Sequence, residues 1–345
     1  MGPSPLTVVM YHYVRPIAGS AWPRIRGLEL SLFRAQLAYF ARHYVPVTVG
    51  EVIEASRGGA PLPRRALLLT FDDGFAEHHR FVTPLLVEHG MQGAFYPPSR
   101  AILARDPLDV HKVHHILAST DDVRPLVRSL ERGIEAARAA GAPGAEELES
   151  LADYRARWAV ANRWDPAEVI YLKRMLQTAL PAALRTPLCD ALFAEAVGLE
   201  PALFAESLYV SVADLREMVA AGMHVGSHGH SHGWLNRMSP AAQRTDLERS
   251  LALLDAVGQR HDWTHCYPYG GYDASTLAIL RELGCTLAFT CEAALAPASP
   301  REVGAAPWLE VPRLDTNDLP KDPDAAPNRW TRAASPAPAP LEMHA

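Results

Sequence analysis

The apolar run Ala66-Leu67-Leu68-Leu69-Thr70 closes on Phe71-Asp72-Asp73-Gly74, and this junction constrains the chain more than any other stretch. The run reads as a hydrophobic strand. At its tip stand two adjacent carboxylates, each of which makes ionising the other more costly unless a cation or hydrogen bonds intervene. A strand end that keeps both has a metal or a reaction to serve. A purely structural alternative is Asp72 as the cap of the helix that follows.

The flanking pattern extends this grammar. Leu6–Tyr11 reads as a buried strand ending at His12, and Leu32, Phe33, Leu37 and Phe40 recur at helical spacing over residues 30–43. Val49–Ser56 is a second short helix, closed by Gly58-Gly59. After the aspartates come a helix through Phe81–Glu88 and a strand, Gly93–Tyr96, stopped by Pro97-Pro98. Strands alternating with helices predict parallel pairing with crossover helices. From Leu108 to Glu206 the rhythm gives way to Ala, Leu, Arg and Glu at helical spacing, the pattern of an inserted helical subdomain. Alternation resumes at Met223-His224-Val225-Gly226 and continues through a helix at 241–257, a strand at 264–267, a helix at 275–283 and a strand at 286–290. The tail, residues 321–345, has many Pro and Ala and too few large apolar residues to pack, so disorder is expected there.

A 48% hydrophobic content supports a sizeable core, while no stretch is long and apolar enough to span a membrane. With a net charge of −6 the chain offers no general basic field, so nucleic acid is not an expected partner. The four cysteines, Cys189, Cys266, Cys285 and Cys291, form no CxxC pair and are expected as reduced, mostly buried thiols. The opening Met1-Gly2-Pro3-Ser4-Pro5-Leu6 lacks the pattern of a secretion signal, and a cytoplasmic location is the expectation.

A second ligand-rich patch, Ser227-His228-Gly229-His230-Ser231-His232, complements the aspartates. One carboxylate and two imidazoles suit a divalent ion and leave positions open for water and substrate. Asp73 can supply the carboxylate. One helical turn would bring His228 and His232 to the same side, whereas a strand would align His228, His230 and His232. Glycine and serine in the segment favour a loop or short turn and the i, i+4 pair. With Asp73 on a metal, Asp72 is free to act as a base toward water.

Thr70-Phe71-Asp72-Asp73-Gly74 followed by His228-x-x-x-His232 resembles the polysaccharide deacetylases of carbohydrate esterase family 4, the NodB-homology family. The resemblance covers residues 5–100 and 207–318, and leaves the helical insertion, 108–206, without a counterpart. It implies an α/β fold, a distorted (β/α) barrel with fewer regular strands than eight. It also implies Asp72 as catalytic base, with Asp73, His228 and His232 holding one divalent metal ion, zinc first, with cobalt, nickel or iron also suited. The stretch Tyr267-Pro268-Tyr269-Gly270-Gly271 stands where that family has its third motif, which makes the Tyr269 N–H the oxyanion candidate. The Arg expected in that motif is missing, and Arg313 is the candidate to restrain Asp72 instead. The family's usual acid, a late Leu-x-His, is missing too. Met10-Tyr11-His12-Tyr13-Val14 resembles the Tyr-His motif of circularly permuted members acting on poly-N-acetylglucosamine, which makes His12 the proton donor, oriented by Asp315 or Asp318.

Two further groups stand outside the motifs. His111, Lys112, His114 and His115 are a candidate second metal site or, more simply, surface or subunit-contact residues; Trp22, Pro23, Arg24 and Arg26 form a candidate substrate loop or a plain connector. The expected activity is metal-dependent removal of the N-acetyl group from an N-acetylated carbohydrate, whether glycan, oligosaccharide or sugar nucleotide. Hydrolysis of another non-peptide C–N bond, such as a cyclic amide, and non-catalytic carbohydrate binding are the alternatives. Oligomeric state is left open.

Overall fold

The computed structural model describes residues 4–162, 165–297 and 307–334. Its described residues divide into two compact units, one drawn from Met1–Pro16, Gly27–Arg105 and Glu206–Ala345, the other from Ile17–Arg26 and Asp106–Ala205.

The first unit is α/β. Its strands are β1 (Thr7–Tyr11), β2 (Val14–Arg15), β3 (Leu28–Glu29), β4 (Val45–Pro46), β5 (Ala66–Asp72), β6 (Gly93–Tyr96), β7 (His224–Val225), β8 (Thr264–Cys266), β9 (Leu287–Phe289), β10 (Trp308–Val311) and β11 (Leu314–Asp315). One sheet runs β11-β1-β5-β6-β7, with β4 paired to the first residues of β5, and a second runs β10-β9-β8. Every pairing in these two sheets is parallel. A parallel bridge between Ser227 and His265 links the sheets, with Ser227 N donating to Thr264 O at 2.9 Å and Cys266 N to Ser227 O at 2.8 Å. The result is a distorted (β/α) barrel. Among the described residues no strand ladder joins β10 to β11, so the wall is not closed by hydrogen bonds there.

Strand β5 is the axis of this unit. All seven of its residues are buried, as a strand covered on both faces requires. Successive side chains on a strand point to opposite faces. Tyr11, Phe71 and Phe95, in register across β1, β5 and β6, stack on one face with centroids 4.9 and 4.8 Å apart. Leu68, with Val8, Ala94, Phe289 and Val311, contributes to a core drawn from both sheets. Asp72 has the parity of Leu68 and Thr70, so its side chain leaves the strand on the face opposite Phe71.

The second unit is helical, with Asp109–Ala118, Arg124–Ala139, Leu151–Trp158, Ala167–Arg174 and Ala182–Ala196 as its main helices. Leu126, Val127, Leu130 and Ile134 give the second of these an apolar stripe at helical spacing. Residues 17–26 belong to this unit: Arg24 pairs with Asp121, and Arg26 with Asp165 at 2.6 Å. No helix among the described residues is long and apolar enough to cross a membrane.

The expectation of disorder from Lys321 onward is corrected for residues up to 334; residues 335–345 lie outside the described ones. Arg329–Ala333 forms a helix whose first N–H groups are capped by Asn328 Oδ1. The buried Thr331 hydroxyl lies 2.8 Å from Tyr39 Oη and 2.9 Å from Tyr44 Oη. Polar contacts to a distant helix, rather than large apolar side chains, hold this segment. Thr331→Val leaves two buried tyrosine hydroxyls short of a partner. It is expected to cost roughly 1–3 kcal/mol in urea unfolding of the full chain.

Candidate active site

The chemistry-bearing residues converge at the carboxyl ends of the barrel strands, where sites in such folds gather. Asp72 closes β5, and both its oxygens are taken by Arg313: Nη1 donates to Oδ1 at 2.9 Å and Nη2 to Oδ2 at 2.8 Å. Arg313 lies between β10 and β11 and is wholly buried. Its Nε donates to Thr290 O at 2.9 Å, and Nη1 also reaches Thr70 Oγ1 at 3.1 Å. The Cys266 thiol donates to Asp72 Oδ2 at 3.4 Å. Burial by itself would raise the Asp72 carboxyl, but the Arg313 guanidinium, aided by His228, outweighs it and holds the group down at about 2. Asp72 is therefore ionised at neutral pH. His12, one residue past β1, places Nε2 3.9 Å from Asp72 Oδ2; its side chain is 44% exposed where that of Asp72 is 2%.

Asp73 departs from the strand. Its N–H still donates to Tyr96 O at 3.0 Å, but its φ is 73°, in the left-handed region that costs a non-glycine residue energy. Gly74 continues at φ 65°, and a Cβ there would stand 2.6 Å from Pro97 Cβ, so the turn admits only glycine. This turn aims Asp73 away from Asp72. Asp73 Oδ1 lies 3.7 Å from His228 Nε2 and 3.2 Å from His232 Nε2. All three residues are buried. His228 Nδ1 lies 2.7 Å from Cys266 O and donates to it, which leaves Nε2 with its lone pair facing Asp73. Burial pushes the His228 imidazole down to about 4 despite the nearby Asp72 carboxylate, so the ring is neutral at neutral pH. One carboxylate and two imidazoles, close and buried, fit a divalent ion.

The polysaccharide deacetylase family model matches residues 202–288, the stretch that contains His228, His232 and Tyr269. Residues 202–288 thus match a polysaccharide deacetylase domain. Over 64 residues, 18% of the chain, it is 41% identical to the poly-beta-1,6-N-acetyl-D-glucosamine N-deacetylase of Escherichia coli strain K12, of which it covers 10%. Among solved structures, the Streptococcus pyogenes deacetylase PplD in complex with acetate superposes with a TM-score of 0.56 at 15% identity, covering 97% of this chain and 100% of that one. IcaB from Ammonifex degensii gives 0.50 at 19% identity, covering 96% of each chain. The BpsB deacetylase domain from Bordetella bronchiseptica gives 0.50 at 16% identity, covering 91% of this chain and 98% of that one. At these identities the three structures speak to the fold alone.

Within the deacetylase domain, the His228–His232 pair sits on a loop, not on a helical turn. The two rings meet because Gly229 and His232 both take positive φ, 72° and 57°. His230 turns aside, its Nδ1 2.9 Å from Ser99 Oγ. Tyr269 lies in a single turn, Pro268–Gly270, with φ 57°. Its ring stacks on Trp234 at 4.7 Å and meets His232 edge-on at 4.7 Å, which places the turn at the rim of the site. Asp315 and Asp318 instead form a reciprocal cap of the turn 316–318: Asp315 Oδ1 accepts from Asn317 N at 2.8 Å and Asp318 Oδ2 from Asp315 N at 3.0 Å. The carboxylate facing His12 is Asp72.

Outside this domain, Lys112 pairs with Asp109 and Asp190, His115 donates from Nδ1 to His111 O, and the His115 ring packs on Trp22 and Phe204. With His114, these residues are absent from the possible metal-holding clusters among the described residues. Trp22 and Arg24 group with the helical unit.

Sequence reasoning gave no role to Cys266, His78 or Asp246. His78 Nε2 donates to His12 O at 2.8 Å and so anchors the backbone of the front strand's end. Cys266 adjoins the Tyr267-Pro268 motif, the one signal that could have drawn it in.

Because Asp72 is held below its ordinary 3.8, at about 2, its ion pair contributes fully above pH 3.8 and is lost as pH falls toward 2. Arg313→Met leaves the carboxylate buried and unpaired, at a cost of roughly 3–5 kcal/mol. Urea unfolding followed from pH 6 down to 2 is expected to show a smaller acid-induced loss of stability in the variant than in the native chain.

Proposed function

We propose that the deacetylase domain hydrolyses the acetamido group of an N-acetylated saccharide to a free amine and acetate, using a divalent metal held by Asp73, His228 and His232. The observation that carries this reading is the division of labour at the β5 tip. One aspartate joins two imidazoles in a ligand set, while its neighbour is locked ionised 3.9 Å from a half-exposed histidine. A bound divalent ion, zinc being the first choice for this donor set, supplies Lewis acidity toward the amide oxygen and toward water.

The chain's own groups do the rest. Asp72 accepts the proton of the attacking water, and Arg313 fixes the direction in which its lone pairs point. The N–H of Tyr269 faces the developing oxyanion. His12 gives a proton to the departing nitrogen, so that amide and water leave as amine and acetate. By its name the Escherichia coli relative acts on poly-beta-1,6-N-acetyl-D-glucosamine, and N-acetylglucosamine oligomers are the first substrates to test.

Acetate release is measured against N-acetylated glycans and nucleotide sugars, with metal restored after chelation. Activity is expected to vanish on chelation and return with added metal. Asp72→Asn is expected to lower turnover by at least about 100-fold, the scale of a general base, while metal stays bound; His228→Ala loses both. If both variants retain activity, the assignment is wrong.

A further inference from the structure

The loop that carries His228 and His232 has no regular structure, yet both rings are aimed at one carboxylate oxygen. One side chain on the helix Pro240–Val257 makes two of the hydrogen bonds that fix it. Asp246 is buried and turns both oxygens to the loop: Oδ2 accepts from His230 N at 2.9 Å and Oδ1 from Ser231 N at 2.9 Å. On the loop's other edge, Gly229 O accepts from Ser99 N at 3.0 Å and His230 O from Arg100 N at 3.1 Å. Ser227 Oγ accepts from Gly229 N at 3.1 Å and donates to Ser250 Oγ at 2.7 Å. A Cβ on Gly229 would stand 2.9 Å from Asp246 Oδ2, so the glycine is what lets the carboxylate approach so closely.

We propose that Asp246 is a positioning residue of the metal site, a carboxylate clamp that presets the His228–His232 loop before a metal arrives. The proposal rests on the reading of Asp73, His228 and His232 as the metal's ligands. The chemistry of the clamp is specific. A carboxylate accepts from two backbone donors at once, whereas an asparagine offers one oxygen and sets an NH2 group against the other N–H. Without the clamp, two N–H groups lose their acceptor and the imidazoles lose their fixed separation, so binding must first order the loop. Outer contacts of this kind are worth about 10–100-fold in metal affinity.

The test uses the full chain, stripped of metal by chelation, in four forms: native, Asp246→Ala, Asp246→Asn and His228→Ala. Zinc affinity is read by competition with a chromophoric chelator, and amide hydrogen exchange is followed residue by residue in the metal-free chains. Both Asp246 variants are expected to weaken zinc binding by about 10–100-fold. Exchange at His230 and Ser231 should speed up while the amides of β1, β5 and β6 stay as protected as in the native chain. Native zinc affinity in either Asp246 variant overturns the proposal. So does an affinity loss accompanied by faster exchange throughout the chain, which would mark a merely structural role. Should Asp246→Ala not fold, the near-isosteric Asp246→Asn carries the test. If the native chain binds zinc no better than His228→Ala, the ligand assignment itself fails, and this proposal with it.

Discussion

A guanidinium buried to its last atom needs excellent geometry to offset the water it gives up, and in this chain Asp72 supplies most of that geometry to Arg313. The pair reaches further than the active site. Arg313 stands between β10 and β11, the two strand ends that no ladder joins, and it reaches inward to the tip of β5 and to Thr290 after β9. Where backbone hydrogen bonds stop, a side-chain ion pair ties both ends of the strand arc to its central strand. The residue proposed to accept a proton is thus also part of how the barrel holds its shape. A buried pair of this kind is rigid because neither partner has a solvated alternative.

The same pair resolves the awkwardness of two carboxylates in sequence. Asp72 is still in the ladder, opposite Tyr96, and points into the barrel. Asp73 leaves it at φ 73°, and Gly74 completes the turn. The two charges part at the first backbone bond past the strand and find different partners, a guanidinium for one and two imidazoles for the other. Asp73, His232 and Tyr269 are three of the six described non-glycine residues with positive φ, so backbone strain gathers around the ligand set. Such conformations persist only where surrounding contacts over-determine them, as the bonds to Tyr96 O and within the histidine loop do.

What could be read from the sequence was what is local. The β5 run, the aspartate pair and the His-x-x-x-His spacing each fit within a few residues and carry their chemistry with them. The link between Arg313 and Asp72 spans 241 residues, and only the resemblance to a known family made that arginine worth naming. Asp246 shares the helix Pro240–Val257 with Glu248 and Asp255, and nothing local separates it from a solvated surface group. The C-terminal helix was misjudged because composition counts apolar residues, while Thr331 is held by hydroxyls of Tyr39 and Tyr44 more than 280 residues away. The pairing of Arg24 with Asp121 was equally out of reach, since it depends on where the chain returns after 97 residues.

The electrostatics also set how the proposed acid and base must share their work. Arg313 keeps Asp72 ionised, but a carboxylate held at about 2 is a weak base and takes a proton readily only from an acidified water. On the proposed reading base and metal would depend on each other: Arg313 orients the carboxylate, and a divalent ion held by Asp73, His228 and His232 would supply the acidity of the water. The proposed acid and base also differ in exposure. Asp72, 2% exposed beneath the site, has little direct access to solvent, whereas His12, 44% exposed and 3.9 Å away, faces both solvent and that carboxylate. On the proposed reading, acid and base stay side by side because the His12 backbone is held by His78.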